Sequence, residues 1–151
     1  MSSNQAASDD EEFQRRLVEL RVYEGSARAL QERLQIVNAA SSELAVASAT
    51  LEGVKTQKTD EDALIPVGGG SYVRAKLSDI SKIVVGVGAG VAMEKPIDES
   101  ISEIKSRLAD LEKARTSIGE QLNQAMMKAE ENRAVLGEFV KRRGGDSITV
   151  L

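Results

Sequence analysis

Residues 64–95 read LIPVGGGSYVRAKLSDISKIVVGVGAGVAMEK and contain six of the twelve glycines of the chain. Valine, isoleucine and tyrosine, which favour strands, occur there in short runs that glycines interrupt. Such an alternation is typical of strands joined by tight turns. We therefore expect a small β region here, with the rest of the chain flanking it.

Two β-hairpins fit this segment. The first pairs residues 64–67 with residues 71–77 across the triple glycine, because glycine adopts the positive φ values that a short turn requires. The second pairs residues 82–87 with residues 91–94 across a Gly-Ala-Gly turn. Pro66 has no amide hydrogen to donate to a ladder, so it is expected at a sheet edge or at the start of a strand.

The composition limits the chemistry that the chain can perform. The 151 residues carry a net charge of −4, with 29% charged and only 3% aromatic residues, which favours long solvated helices over a thick core. The absence of Cys and His excludes disulfides, thiolate or imidazole metal ligands, and Cys or His catalysis. We expect a single domain that is not an enzyme and uses no cofactor or metal.

Charge and hydropathy also constrain the partners. Lys and Arg are dispersed along the chain, which gives no electrostatic reason to bind nucleic acid. No apolar run approaches the ~20 residues that span a bilayer, and the polar, acidic first residues are unlike a signal peptide. We expect a cytoplasmic protein that binds neither nucleic acid nor membrane.

The first helix is predicted over residues 10–55, after a disordered segment at residues 1–8. Ser8 and Glu11 resemble a capping box at its start. Apolar or small residues then recur with the heptad spacing of a coiled-coil seam. They are Leu20, Ala27, Leu34, Ser41 and Ser48 at one position, and Tyr23, Leu30, Val37, Leu44 and Leu51 at the other.

The second helix is predicted over residues 97–143, with Pro96 tolerated at its first turn. Gly144 and Gly145 end it, and residues 144–151 form a tail. Its seam has the same heptad spacing. The seam residues are Ile97, Ile104, Leu111, Ile118, Ala125, Asn132 and Phe139, alternating with Ile101, Leu108, Arg115, Leu122, Ala129 and Leu136.

Two helices of similar length that flank a β region predict an α+β fold, an antiparallel coiled-coil hairpin with the strands at its closed end. Placing Phe13 near Phe139 brings other seam residues together, because both helices rise equally for each residue. The resulting pairs are Ala27 with Ala125, Leu30 with Leu122, Leu34 with Ile118, Leu44 with Leu108, and Leu51 with Ile101. Pairing of each helix with another chain is the alternative.

The β-hairpins predict assembly with other chains. Isolated hairpins expose sheet edges and an apolar face, and they are marginal in water. Pairing of these edges with neighbouring chains would bury them in a β-barrel or a layered platform.

Two runs in the β region carry a resemblance to a known family: IPVGGGSYVRAKL at residues 65–77 and VVGVGAGVAMEK at residues 84–95. They resemble the central region of prefoldin alpha-type subunits, and the archaeal type in particular. Two hairpins are the mark of the alpha type, since beta-type subunits have one. The helix–strands–helix layout extends the resemblance over nearly the whole chain.

The resemblance implies an ATP-independent chaperone. It implies a hexamer of two alpha and four beta subunits, whose strands form a double β-barrel platform bearing six coiled-coil arms. The arms of such a complex hold non-native polypeptides near their free ends and pass them to a group II chaperonin. The motif then serves assembly, and the candidate interface residues are Ile65, Val67, Tyr72, Val73, Val84, Val85, Val87, Val91 and Met93.

The client-binding residues do not follow from the family motif, so we predict them from the open end of the helices. Phe13 and Leu17 are placed one step out of the seam phase, which predicts a frayed coil whose side chains lack a full set of partners. The candidates are the large apolar residues Phe13, Leu17, Leu136, Phe139 and Val140. Simple packing of Phe13 against Phe139 is the alternative. Ile148, Val150 and Leu151 in the tail form a second apolar patch.

Other functions are weighed against this one. Gly86, Gly88 and Gly90 after an apolar strand could indicate a phosphate-binding loop, but no helix is predicted directly after Gly90. Arg115 and Asn132 in the seam are expected to specify register or to reach solvent. The competing class is a structural coiled-coil tether without chaperone activity, which should be a simple dimer with a fully closed seam.

Overall fold

The computed structural model describes residues 2–144, with side chains described from residue 7 onward. The predicted α+β class, two long helices flanking two β-hairpins, is confirmed. The predicted apolar patch at Ile148, Val150 and Leu151 lies outside the described residues. In chain order the elements are α1 (Ser2–Lys55), β1 (Asp62–Gly68), β2 (Ser71–Lys76), β3 (Lys82–Gly88), β4 (Val91–Pro96) and α2 (Ile97–Arg142).

The start of α1 differs from the prediction. Residues 2–8 are helical and not disordered, and Ser8 lies inside the helix, so it does not cap a helix start with Glu11. Extension of an existing helix adds one hydrogen bond for each residue that is fixed. Good helix formers such as Ala6 and Ala7 favour that extension, which explains why the helix continues beyond the expected cap.

The chain divides into two compact units. One comprises the described residues within 1–37 and 114–151, and the other comprises residues 38–113. In the first unit α1 and α2 are antiparallel, because residues further along α1 form ion pairs with residues nearer the start of α2. The two ion pairs that show this order are Asp10 with Arg143 and Glu24 with Arg133.

The second unit shows the same antiparallel order by itself. A carboxylate oxygen of Glu52 lies 2.8 Å from the Nζ atom of Lys105. The Nζ atom of Lys55 lies 2.5 Å from an oxygen of Asp98. In both units, therefore, α1 pairs with α2 of the same chain, which is the intrachain arrangement that the heptads favoured.

Burial follows the heptad seam. The seam residues of α1 are half-buried, whereas Arg115 on α2 is exposed. Apart from Ser100, every buried side chain among the described residues occupies a predicted seam position of α2. The buried residues are Ile97, Ser100, Ile101, Ala125, Ala129, Asn132, Leu136 and Phe139.

Each hairpin is a separate two-stranded antiparallel sheet, so both predicted hairpins are confirmed. Pro66 lies within β1 opposite Tyr72. Each strand of a two-stranded sheet is an edge, which is where a residue without an amide hydrogen is tolerated. The registers run from Asp62 opposite Lys76 to Gly68 opposite Ser71, and from Lys82 opposite Pro96 to Gly88 opposite Val91.

The two hairpins repeat one backbone design. In each, the register shifts by one residue just before the turn, between Pro66 and Gly68 and again between Gly86 and Gly88. The φ angles of Gly68 and Gly88 are 100° and 101°. Two consecutive residues with positive φ follow, as in the type I′ turns that match strand twist. They are Gly69 (58°) and Gly70 (72°) in one hairpin and Ala89 (50°) and Gly90 (74°) in the other.

Candidate functional sites

The first candidate site is the set of outward-facing apolar residues on the two hairpins, which we call the hairpin surface. Val84 is 70% exposed, whereas Val85 and Ile83 are half-buried because successive side chains of a strand point to opposite faces. Leu64, which was not predicted, is also exposed. The exposed residues that were predicted are Ile65, Val67, Tyr72, Val73, Val84, Val87, Val91 and Met93.

The hairpin surface is incomplete as a single chain folds it. All four strands are edges with backbone groups that no further strand pairs in the described residues. Exposed apolar residues on a strand edge are a template for pairing with another chain. The site is therefore chemically suited to β-strand pairing with neighbouring subunits.

Polar contacts position the second hairpin within its unit. The Nζ atom of Lys95 on β4 lies 2.9 Å from Oε1 of Glu103 on α2, and this hydrogen bond holds the pKa of the Glu103 carboxyl below its usual range. The amide and hydroxyl of Ser81 both donate to Asp79, which lowers the pKa of Asp79. The Ile97 amide then donates to the Ser81 carbonyl oxygen over 3.0 Å.

The second candidate site lies between residues 10–17 of α1 and the end of α2. We call its residues the helix-end cluster: Asp10, Phe13, Leu17, Leu136, Phe139, Val140, Arg142 and Arg143. The rings of Phe13 and Phe139 meet edge to face, with centroids 6.0 Å apart and planes at 79°. The prediction that Phe13 is out of phase is wrong, because it lies seven residues before Leu20 and packs in the seam.

Two arginines cover the aromatic pair. The guanidinium carbon of Arg142 lies 4.6 Å from the ring centroid of Phe139, and that of Arg143 lies 5.1 Å from the ring centroid of Phe13. Arg143 also donates a hydrogen bond to the carboxylate of Asp10. Cation–π contacts of this kind are attractive, so the structure shows this end of the helix pair closed where a frayed end was expected.

The five predicted client-binding residues differ in exposure. Phe139 is only 4% exposed and Leu136 is buried as well. Phe13 and Leu17 are half-buried, and Val140 is 48% exposed. The structure brings Phe13 and Phe139 into contact, as the alternative interpretation of these residues expected.

Six large apolar residues on the described parts of the helices are exposed but were not predicted: Val18, Val22, Ile36, Val46, Met126 and Met127. Both methionines line an open groove together with Ala27 and Ala129. The heptad spacing could have predicted that the methionines are exposed, because they lie one and two residues after the seam residue Ala125 and so outside the seam. Methionine at an exposed position is adaptable, which suits contact with varied apolar side chains.

Neither helix contains an apolar window long enough to cross a bilayer within the described residues. Over the same part of the chain, no group of three or more acidic, His or Cys side chains is placed to hold a metal ion.

These features define a class of subunit, a pair of antiparallel helices joined through two open β-hairpins. A family model described as prefoldin subunit matches residues 23–141. Prefoldin subunit alpha of Methanopyrus kandleri is 37% identical over 74% of this chain and 71% of the relative. The corresponding subunit of Methanococcus aeolicus is 32% identical over 90% of this chain and 92% of the relative.

A solved structure agrees with these relatives. The filamentous prefoldin of Methanocaldococcus jannaschii, determined by cryo-electron microscopy, is similar with a TM-score of 0.65 and 25% identity. The match covers 77% of this chain and 96% of that one. The chain belongs to the prefoldin family of chaperone subunits, and these named sequence relatives are archaeal alpha subunits.

Proposed function

We propose that this chain assembles with beta-type subunits into an ATP-independent chaperone in the cytoplasm. The observation that carries the proposal is the hairpin surface, whose apolar residues and open strand edges no part of the described chain covers. The proposed complex contains two alpha and four beta subunits, with the strands joined in an intersubunit β-barrel platform. Two hairpins of one backbone design supply two equivalent pairing sites in each alpha chain.

The mass of the complex tests the assembly. Light scattering behind size exclusion is applied to this chain alone and to its mixture with a beta-type partner. A six-subunit mass that appears only on mixing supports the proposal. A polymer of this chain alone would instead indicate filament formation, as in the Methanocaldococcus jannaschii relative.

A matched pair of variants tests the surface. Val84→Lys places a charge on the hairpin surface, where desolvation on assembly would be unfavourable. Val46→Lys changes an equally exposed valine on α1, with exposed fractions of 70% and 67% for Val84 and Val46. We expect the first variant to lose the hexamer and the second to keep it. Assembly of both variants would contradict the assignment of the surface.

We further propose that clients are held at the helix-end cluster by Phe13, Leu17, Leu136, Phe139 and Val140, and are then passed to a group II chaperonin. At ~25 cal/mol per Å², about 50 Å² buried on one side chain is worth on the order of 1 kcal/mol. Several subunits must therefore act together, which suits a chaperone that must also release its client.

Suppression of client aggregation tests this site. We expect the hexamer to delay aggregation of a denatured protein, and replacement of Phe13, Leu17, Leu136 and Phe139 by Ser to abolish the delay. Val140→Ser, at the exposed position, should weaken it without disturbing the seam. Full activity of both assembled variants would contradict the proposed site.

One observation favours a second candidate function. The closed seam at Phe13 and Phe139 is what a structural coiled-coil tether requires. A tether would form a stable dimer that is indifferent to a beta-type partner, and it would not delay client aggregation. The light-scattering experiment separates these two functions.

A further inference from the structure

The closed state of the helix-end cluster conflicts with its proposed role. Clients can bind Phe13 and Phe139 only if the rings are accessible, yet Phe139 is 4% exposed and Phe13 is half-buried. Each ring is in contact with the other and with an arginine. A client must therefore displace side chains that already contact the two rings.

The covering groups are held by few contacts. Arg142 is the last residue of α2, and Arg143 follows it with its amide donating to the Phe139 carbonyl oxygen over 3.1 Å. Gly144 then has a φ of 60°. Helix termini have the fewest backbone hydrogen bonds and open at the lowest free energy. The covering segment is thus the part of α2 that opens most readily.

The side chains of the cover are also suited to release. The Asp10 and Arg143 side chains are 69% and 40% exposed, so both charges stay largely hydrated in the closed state. A guanidinium can stack on an aromatic ring while it keeps its contact with water. Release of these arginines therefore removes one cover from each ring without leaving a buried charge unpaired.

We infer that Asp10, Arg142 and Arg143 form a clasp that closes over Phe13 and Phe139, and that a client binds when the clasp opens. The occupant is a non-native polypeptide segment whose aromatic or large aliphatic side chain replaces the guanidinium groups on the two rings. The inference rests on the proposed function, since it assumes that clients use this end of the helices. Arg142 and Arg143 are positioning residues, because they act through access to the rings.

A covalent staple tests the clasp. The chain has no native cysteine, so Asp10→Cys/Arg143→Cys in the assembled complex can be linked specifically by a short bismaleimide. The probe is reduced, carboxymethylated lactalbumin, which is permanently unfolded, with affinity read by fluorescence anisotropy. We expect at least tenfold weaker binding than for the same variant blocked with N-ethylmaleimide. Equal affinities of the linked and blocked forms would overturn the clasp.

A second staple provides the matched control. Glu24 and Arg133 form another ion pair between α1 and α2, with an oxygen-to-nitrogen distance of 2.6 Å. Glu24→Cys/Arg133→Cys linked in the same way should change the affinity less than twofold. An equal loss from both staples would overturn the clasp, because general stiffening of the helices would then explain the effect.

Removal of the cover is the converse experiment. Arg142→Gln/Arg143→Gln should bind the probe at least threefold more tightly, since the open state no longer competes with a closed one. Lys141→Gln removes a neighbouring cation that pairs with Glu138 and should leave affinity unchanged. Weaker binding by the double variant would overturn the clasp. Absence of probe binding by the unmodified complex would refute the proposed function itself, and the clasp with it.

Discussion

The Nη1 atom of Arg16 on α1 donates a hydrogen bond of 3.2 Å to Oδ1 of Asn132 on α2. Asn132 is only 2% exposed, and its Nδ2 atom donates to the Lys128 carbonyl oxygen over 2.9 Å. Both polar atoms of this buried amide are therefore satisfied. A polar residue in a seam favours the one register that supplies its partner, which agrees with the register role expected for Asn132.

A double-mutant cycle measures this contact. Asn132→Ala should cost about 1–3 kcal/mol in the free energy of unfolding, because it removes a satisfied buried amide. Combined with Arg16→Ala, it should show a coupling energy of roughly 0.5–3 kcal/mol in urea denaturation at fixed protein concentration. Arg15→Ala is the control, because the Arg15 side chain is 63% exposed and forms ion pairs with Glu12 and Glu19 of its own helix. Zero coupling between positions 16 and 132 would show that the contact does not contribute.

Ser100 provides a second stability prediction. It is 2% exposed, and its hydroxyl oxygen is buried without a hydrogen-bond partner among the described atoms. A buried hydroxyl without a partner lowers the free energy of unfolding by about 1–3 kcal/mol. Ser100→Ala should therefore raise the midpoint temperature of thermal unfolding. Ser102→Ala, at an exposed position of the same helix, gains only helix propensity of about 0.5 kcal/mol. Equal effects of the two substitutions would contradict burial of an unsatisfied hydroxyl at position 100.

The paired turns predict three different responses. Ala89 has a φ of 50°, so Ala89→Gly should relieve strain and stabilise the second hairpin by about 0.5–1 kcal/mol. Gly69→Ala, at the equivalent position of the first hairpin, should cost a similar amount. Gly68→Ala should cost more, since a φ of 100° lies beyond the left-handed region open to alanine. Protection of the strand amides against hydrogen exchange measures the stability of each hairpin and so ranks the three substitutions. Equal losses of protection in Gly68→Ala and Gly69→Ala would contradict the expected ranking.

The pair of Glu52 with Lys105 predicts a pH dependence. The hydrogen bond from Lys105 holds the pKa of Glu52 below its usual 4.5. Because the folded pKa is lower than the unfolded one, the pair contributes stability above about pH 4.5 and loses it as the pH falls through the folded value. Glu52→Gln should therefore reduce the loss of stability on acidification, in thermal scans between about pH 3 and 6. The effect should be small, since both side chains are solvated. Glu43→Gln, at an exposed position of α1, is the control for the removal of one negative charge.

Much of the fold follows from local sequence. The glycines at positions 68–70, 88 and 90 indicated both turns, because few other residues tolerate positive φ. Heptad spacing located every described buried position of α2 except Ser100, and it included Asn132. The start of α1 was missed, because a cap motif at Ser8 and Glu11 cannot be distinguished by pattern alone from residues inside a longer helix.

The sequence predicted the exposed residues of the hairpin surface better than it predicted the exposure of the helix-end cluster. The hairpin surface follows from alternation along short strands, so most of its exposed members could be named in advance. The state of the helix-end cluster depends on groups far apart in sequence. Whether Phe139 is exposed is decided by Phe13 and by where Arg142 and Arg143 place their guanidinium groups.

The amino-acid sequence by itself determined the order of helices and hairpins, the turn positions and the seam, because each depends on residues within a few positions of one another. Only the tertiary structure decided that Phe13 and Phe139 are covered, that Asn132 finds Arg16, and that Ser100 is buried without a partner. Burial and hydrogen bonding depend on which atoms of the opposite helix come within contact distance. That distance is set by the packing of α1 against α2 within each unit, which no local pattern encodes.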